Sequence, residues 1–207
     1  EQLYTYWLYD YAGVNPQNGN ALWRNEEGLL TENYGEARRI NAGSPEPLWT
    51  GGFNTELSWR GISLGIQLEA RYGNKVLNQD RSLFEADGSY GDSNIWKGAM
   101  NYWKKPGDTN VLPKPVYNNS SNSSAISTRY LEDGSYLRIK DITLAYSLPS
   151  KWTKKALMSG VRIYASALNL YTFHNMNYWD PEHGTSGATI ISYPMTRSMI
   201  VGVDITF

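Results

Sequence analysis

Read as a pattern of apolar and polar positions, the chain alternates strictly in some stretches and shows no period in others. The clearest alternation is ISLGIQLEARY at 62–72. Ile62, Leu64, Ile66, Leu68, Ala70 and Tyr72 are interleaved with Ser63, Gly65, Gln67, Glu69 and Arg71. Successive side chains of a strand point to opposite faces, so this spacing predicts a strand with one apolar and one polar face. Its 11 residues match the roughly 9–11 that a tilted membrane strand needs, whereas globular strands average about 5–6. Just upstream, Phe53, Thr55, Leu57 and Trp59 alternate with Asn54, Glu56, Ser58 and Arg60, and a tight Arg60–Gly61 turn predicts a hairpin.

Four further segments read as strands. In SYLRIKDITLAYSLP, Ile142, Leu144, Tyr146 and Leu148 alternate with Asp141, Thr143, Ala145 and Ser147. VRIYASALNLY sets Val161, Ile163, Ala165 and Ala167 against Arg162, Tyr164 and Ser166, but Leu168 and Leu170 then fall on the wrong face. The closing SMIVGVDITF sets Met199, Val201, Val203, Ile205 and Phe207 against Ser198, Ile200, Gly202, Asp204 and Thr206. The opening LYTYWLYDYAGV is a sixth strand with aromatics on both faces and no clear register.

The connections between these strands are unequal. The 60–61 turn is minimal and 149–160 is short, whereas 14–51, 73–130 and 173–196 are long and rich in Gly, Asn, Ser, Asp and Pro. Structureless connections of that length count against a compact soluble domain. Short turns at one end and long loops at the other suit an outer-membrane β-barrel, with the short ends periplasmic. The fold class expected is all-β: an antiparallel transmembrane β-barrel segment of about six strands with long extracellular loops. The C-terminus then lies on the periplasmic side. The alternative is a secreted carbohydrate-binding β-sandwich, which has short strands and a buried apolar face.

Composition narrows the function classes. The net charge of -1 leaves no basic footprint for nucleic acid. With no cysteine and only His174 and His183, disulfides and thiolate metal sites are excluded and a histidine metal centre is disfavoured. The aromatic share of 14% consists of 16 Tyr and 8 Trp but only 4 Phe. Amphipathic rings of that kind collect where an apolar phase meets water. Mean hydropathy is -0.52, and no run approaches the roughly 18 apolar residues of a membrane helix.

Seven blocks, in order, resemble the C-terminal part of SusC/RagA-type TonB-dependent outer-membrane transporters of Bacteroidetes. They are YDYAGVNPQNGNALW, GGFNTELSWRGISLGIQLEARYGNKVLN, NYWKKPGDTNVLPKP, GSYLRIKDITLAYSLP, VRIYASALNLYTF, YWDPEHG and YPMTRSMIVGVDITF. The resemblance implies a large barrel of the 22-stranded class, plugged by an N-terminal domain. It further implies a SusD-like surface lipoprotein as partner, energy from TonB–ExbB–ExbD, and import of oligosaccharides or peptides. Six strands cannot close around a substrate, so the remaining barrel and the plug are expected outside this sequence.

The candidate residues follow from this frame. By the resemblance, Phe207 with Ile205 and Val203 is the barrel-assembly signal. Trp59, Tyr72, Tyr146 and Trp152 fall near predicted strand ends, where aromatic girdles belong. Gln67, Glu69 and Arg71, with Asp204, face the lumen as candidate substrate contacts, and so do the loop aromatics Trp96, Tyr102, Trp103, Tyr178 and Trp179. DGSYGDSN at 87–94 faintly resembles a calcium loop but lacks the closing bidentate Glu, so no cofactor is expected. Asn119 and Asn122 open glycosylation-type triplets within a polar loop. Asp180, Glu182 and His183 lie together without a nucleophile motif or metal-ligand spacing, and no enzyme is expected.

Overall fold

The structure, a computed structural model, describes residues 4–91, 94–182, 187–189 and 195–207. In chain order the strands are β1 (Trp7–Tyr9), β2 (Tyr11–Val14), β3 (Ala21–Arg24), β4 (Leu30–Thr31), β5 (Arg39–Asn41), β6 (Trp49–Trp59) and β7 (Ile62–Tyr72). They continue with β8 (Lys75–Asn78), β9 (Leu131–Asp133), β10 (Tyr136–Ser147), β11 (Gly160–His174), β12 (Ala188–Thr189) and β13 (Ser198–Thr206). Two short helices, α1 (Gln79–Phe84) and α2 (Ser150–Thr153), interrupt them. The chain divides into two compact units, one of 1–46, 74–133 and 183–192, the other of 47–73, 134–182 and 193–207.

The second unit is a single antiparallel sheet ordered β13-β11-β10-β7-β6. Arg60 and Gly61 have φ of +49° and +87°, so both central residues of the β6–β7 turn are left-handed. This is the type I′ pattern, one of the two kinds of two-residue hairpin loop whose twist matches the flanking strands. Gly61 is needed for space as well, because a Cβ there would lie 2.8 Å from the Ser147 carbonyl oxygen. In β13, Gly202 pairs with Tyr164, and a Cβ on it would meet that ring at 2.4 Å. The glycine in the closing alternation is therefore the floor under a cross-strand tyrosine.

Register joins the predicted faces across the sheet. Leu57, Leu64, Leu144, Ala165 and Val201 form one row, and Trp59, Ile62, Tyr146, Ile163 and Val203 form the next. Directly opposed residues of antiparallel strands share a face, so the apolar positions of five strands make one continuous surface. The order slips once. Asp141 pairs with Gln67 and Ile139 with Leu68, so β10 carries one residue more than β7 between these pairs. Over the same interval β11 runs from Leu168 to Tyr171, two residues more than β7. The surplus forms a bulge with Asn169 at φ +52°. One extra residue reverses the alternation of β10, placing Ile139 and Leu137 on the apolar face. Two extra residues preserve it in β11, and Tyr171 and Phe173 stay apolar-side. This explains the misfit at Leu168: it pairs with Asp141 on the polar face, just before the bulge.

Two expectations are corrected. The opening segment is not a sixth strand of this sheet. It forms β1, paired with β5, and β2, paired with β3, in two separate small sheets. The long connections are also not structureless, because the first unit is built from them. Trp23 is fully buried, with Tyr11 and Tyr34 packed edge-on at centroid distances of 5.4 and 5.2 Å. Tyr130 is fully buried beside Leu8 and Leu77. The Arg129 guanidinium pairs with Asp87, Nη2 lying 2.9 Å from Oδ1, and also donates to the carbonyls of Ser123 and Glu85. Strands of two to four residues are too short to display a period, and the alternation that revealed the large sheet is lost on them.

Candidate membrane wall and its polar face

The apolar face is exposed, with Leu57 at 62% and Val201 at 79% of full accessibility. A sandwich would bury these positions. Aromatic rings stand at both ends of the surface. Trp49 and Tyr72 are a directly opposed pair at the long-connection end, with Tyr171 and Phe173 edge-on at 4.7 Å. Trp59 and Tyr146 stand at the short-turn end, each paired with Ile62. Aliphatic side chains fill the band between: Leu57, Leu64, Ile66, Leu68, Ile142, Leu144, Ile163 and Val201. The ten steps from Ile62 to Tyr72 span about 34 Å along the strand, or roughly 25 Å along the normal at a tilt near 40–45°. That is the height of the apolar band of a transmembrane barrel.

The reverse face is polar and internally paired. At its centre Asp141 accepts hydrogen bonds from Thr143 Oγ1 at 2.8 Å and Ser166 Oγ at 2.9 Å. Toward the long connections, Glu69 accepts from the Tyr136 hydroxyl at 2.8 Å and pairs with Lys140 Nζ at 2.9 Å. Lys140 also lies 3.4 Å from Glu182, whose other oxygen is 2.8 Å from Arg138 Nη1. Arg138 is fully buried and pairs with Asp180 too. The segment after β11 is therefore tied down by two carboxylates on cations from β10. Beside it a cavity of about 320 Å3 is lined by Asn169, Thr172, His174, Asp180 and Arg197 among others.

The candidate contacts are distributed over both units. Glu69 belongs to the network just described, Arg71 lies 3.7 Å from it, and Gln67 is exposed on the same face. Tyr178 is exposed with φ +68°, and Trp179 follows it in the segment carrying Asp180 and Glu182. In the other unit Trp103 is buried over Gly19, its indole donating to the Pro16 carbonyl at 3.1 Å. Tyr102 bridges to Leu112, and Trp96 stacks on Phe84 at 4.6 Å. The calcium-like stretch at 87–94 falls partly outside the described residues, as does His183. Its Asp87 is engaged by Arg129 and Ser123. Trp152 lies in α2 and is exposed; Phe207, just past β13, is exposed as well. Arg138 and Lys140, the cations of this network, stand out in the sequence only by their alternation with Leu137 and Ile139 in YLRIKD.

No protein-family profile matches the chain. It is 28% identical over its whole length to TonB-dependent receptor P3 of Formosa agariphila, and covers 22% of that protein. It is 27% identical over 91% of its length to TonB-dependent receptor P26 of the same organism, covering 20% of it. Among solved structures, the RagAB peptide transporter superposes with a TM-score of 0.82 at 28% identity, over 98% of this chain and 23% of that one. The chain is SusC/RagA-like. The RagAB peptide importer in its open-open state gives a TM-score of 0.80 at the same identity. This SusC/RagA-like chain spans about a fifth of the length of the curated relatives it matches. Its mostly β architecture matches that of the RagAB structures, and the curated relatives are named as TonB-dependent receptors.

Proposed function

We propose that this SusC/RagA-like chain forms part of the barrel wall and extracellular mouth of a TonB-dependent nutrient importer in the bacterial outer membrane. The observation that carries this reading is the apolar surface continuous over five strands, bounded at both ends by aromatic rings. Only a lipid phase stabilises such a surface without a covering layer. The polar reverse then faces the lumen, the long connections lie outside the cell, and the short turns with Phe207 lie in the periplasm. The remaining strands and the plug close the barrel. A SusD-like lipoprotein caps it, TonB–ExbB–ExbD supplies energy, and the cargo is an oligopeptide or oligosaccharide. The chain performs no catalysis; its work is to bound a path and to present contacts.

Within that path, exposed Gln67 on the wall and Tyr178 with Trp179 above it are the positions we assign to cargo. Glu69 and Arg71 hold the wall's charge pattern. Trp96, Tyr102 and Trp103 shape the outer loops through packing. Val203, Ile205 and Phe207 act in assembly. Uptake normalised to heat-modifiable barrel on a gel tests the division of labour. Deleting Phe207 should lower barrel yield and leave uptake per barrel near normal. Shortening 73–130 should retain barrel and reduce uptake, because surface loops tolerate change while carrying recognition. If Phe207 deletion spares barrel yield and abolishes uptake, the assignment of wall and mouth is wrong.

A further inference from the structure

We infer that the short-turn rim of the sheet binds an anionic phospholipid, with its phosphate on Arg60, Lys151, Lys154 and Lys155 and an acyl chain in the groove at Ala165. This rests on the reading that the apolar face meets lipid. The groove has a volume of about 690 Å3 and is lined by Ile62, Leu144, Tyr146, Ile163 and Val201, with Arg60 also on its wall. It exists because Ala165 sits in one row between Leu144 and Val201, a small side chain flanked by larger ones. Its lining is mostly apolar, with two tyrosines, Tyr146 and Tyr164, and one cation, a profile that suits a hydrocarbon chain ending in an anionic group.

The rim is cationic for a definable reason. Ser147 N–H donates to the Gly61 carbonyl at 2.7 Å, Leu148 N–H to Val161 at 2.9 Å, and Ser159 N–H to Thr206 at 2.7 Å. The 60–61 turn, the 148–159 connection and the end of β13 therefore form one edge. No Asp or Glu occurs in 57–63 or 147–160. The nearby acids, Glu56 and Asp204, lie on the polar face with Arg162, which is 3.5 Å from Asp204. Among the described residues, neither Arg60 nor any of the three lysines joins a salt bridge. The Arg60 guanidinium rests over the Trp59 ring, 4.8 Å from its centre.

The same connection buries Thr153 and leaves Trp152 and Leu157 exposed beside the lysines. Bare apolar and cationic side chains on one short segment suit a membrane interface, where the former meet acyl chains and the latter headgroups. Each basic residue near an anionic lipid surface adds several-fold to binding, so four on one rim discriminate strongly by headgroup charge.

The test uses the assembled transporter in nanodiscs, with native mass spectrometry counting retained phosphatidylglycerol against phosphatidylcholine of identical chains. The wild type should prefer phosphatidylglycerol by about tenfold or more. Arg60→Gln with Lys151→Gln, Lys154→Gln and Lys155→Gln should erase that preference at unchanged heat-modifiable yield. Ala165→Leu should lower retention of both lipids by filling the groove. Equal retention by the wild type, a preference surviving the fourfold change, or displacement by free inorganic phosphate overturns the site. A tryptophan placed by Val201→Trp reads the underlying assumption separately, through quenching by brominated acyl chains. Quenching without headgroup preference sinks the lipid site alone; no quenching sinks the lipid-facing reading with it.

Discussion

Ile66 and Gln67 are neighbours in sequence and lie on opposite faces of the sheet. Ile66 is in one row with Thr55 and Ile142, and Gln67 is in one row with Asn54 and Asp141. Ile66→Arg near the middle of the band should destabilise the barrel by about 2–4 kcal/mol, while Gln67→Arg should cost far less. Equal shifts in the urea midpoint of heat-modifiable barrel would refute the face assignment. A second residue carries a pH dependence. The Glu32 carboxylate accepts from the side-chain amides of Asn20, Asn18 and Asn15 at 2.6–2.8 Å, and these bonds hold its pKa below the usual glutamate range. A depressed pKa adds stability above the unfolded value, about 4.3, and that stability is lost as pH falls through the folded value. The wild-type melting midpoint should exceed that of Glu32→Gln near neutrality, and the gap should close on acidification. A gap unchanged down to about pH 3 would contradict it. At this scale the wall residues were legible, since period two names their side. Trp103 was not: nothing in NYWKKPGD distinguishes an indole packed on Gly19 from one open to cargo.

Among the elements, the long strands were legible and the short ones were not. β6, β7, β10, β11 and β13 have 9 to 15 residues each, enough repeats for alternation to outweigh chance. The strands of the other unit have four or fewer, and their positions depend on long-range contacts such as Arg129 with Asp87. The bulge is an intermediate case, visible as the misfit of Leu168 and Leu170 but unresolved without a register. It makes a sharp prediction. Deleting Asn169 alone leaves an odd surplus in β11 and would turn Tyr171 and Phe173 toward the polar face. Barrel yield should fall to a small fraction of wild type. Deleting Asn169 and Leu170 together restores the phase and should recover much of the yield on the same gel. Equal yields from the two deletions would show that register does not set these faces.

For the whole molecule, the sheet of five strands has β13 and β6 as its edges, each paired on one side only. Unpaired backbone groups along an edge are unsatisfied in hydrocarbon. The chain expressed alone should therefore aggregate, and co-expression with the complementary strands and plug should yield heat-modifiable barrel. A soluble, cooperatively melting monomer of the isolated chain would instead favour the sandwich. The unequal ends of the sheet were plain from connection lengths. That the long connections pack a core around Trp23 and Tyr130 was hidden, because aromatic residues in loops look alike whether they are buried or exposed.

The two-residue surplus of β11 has an evolutionary corollary. A wall strand that gains or loses one residue at this level inverts everything beyond it, whereas a change of two leaves every later side chain in its own solvent. Insertions and deletions among homologous wall strands should therefore be fixed in even steps, with single-residue changes surviving only where the apolar positions beyond them change phase as well, as Ile139 and Leu137 do beyond Lys140 in β10. Strand length toward the long connections becomes a quantity that drifts by parity. That end of the sheet can thus lengthen or shorten between lineages while the apolar band beside it stays where it is.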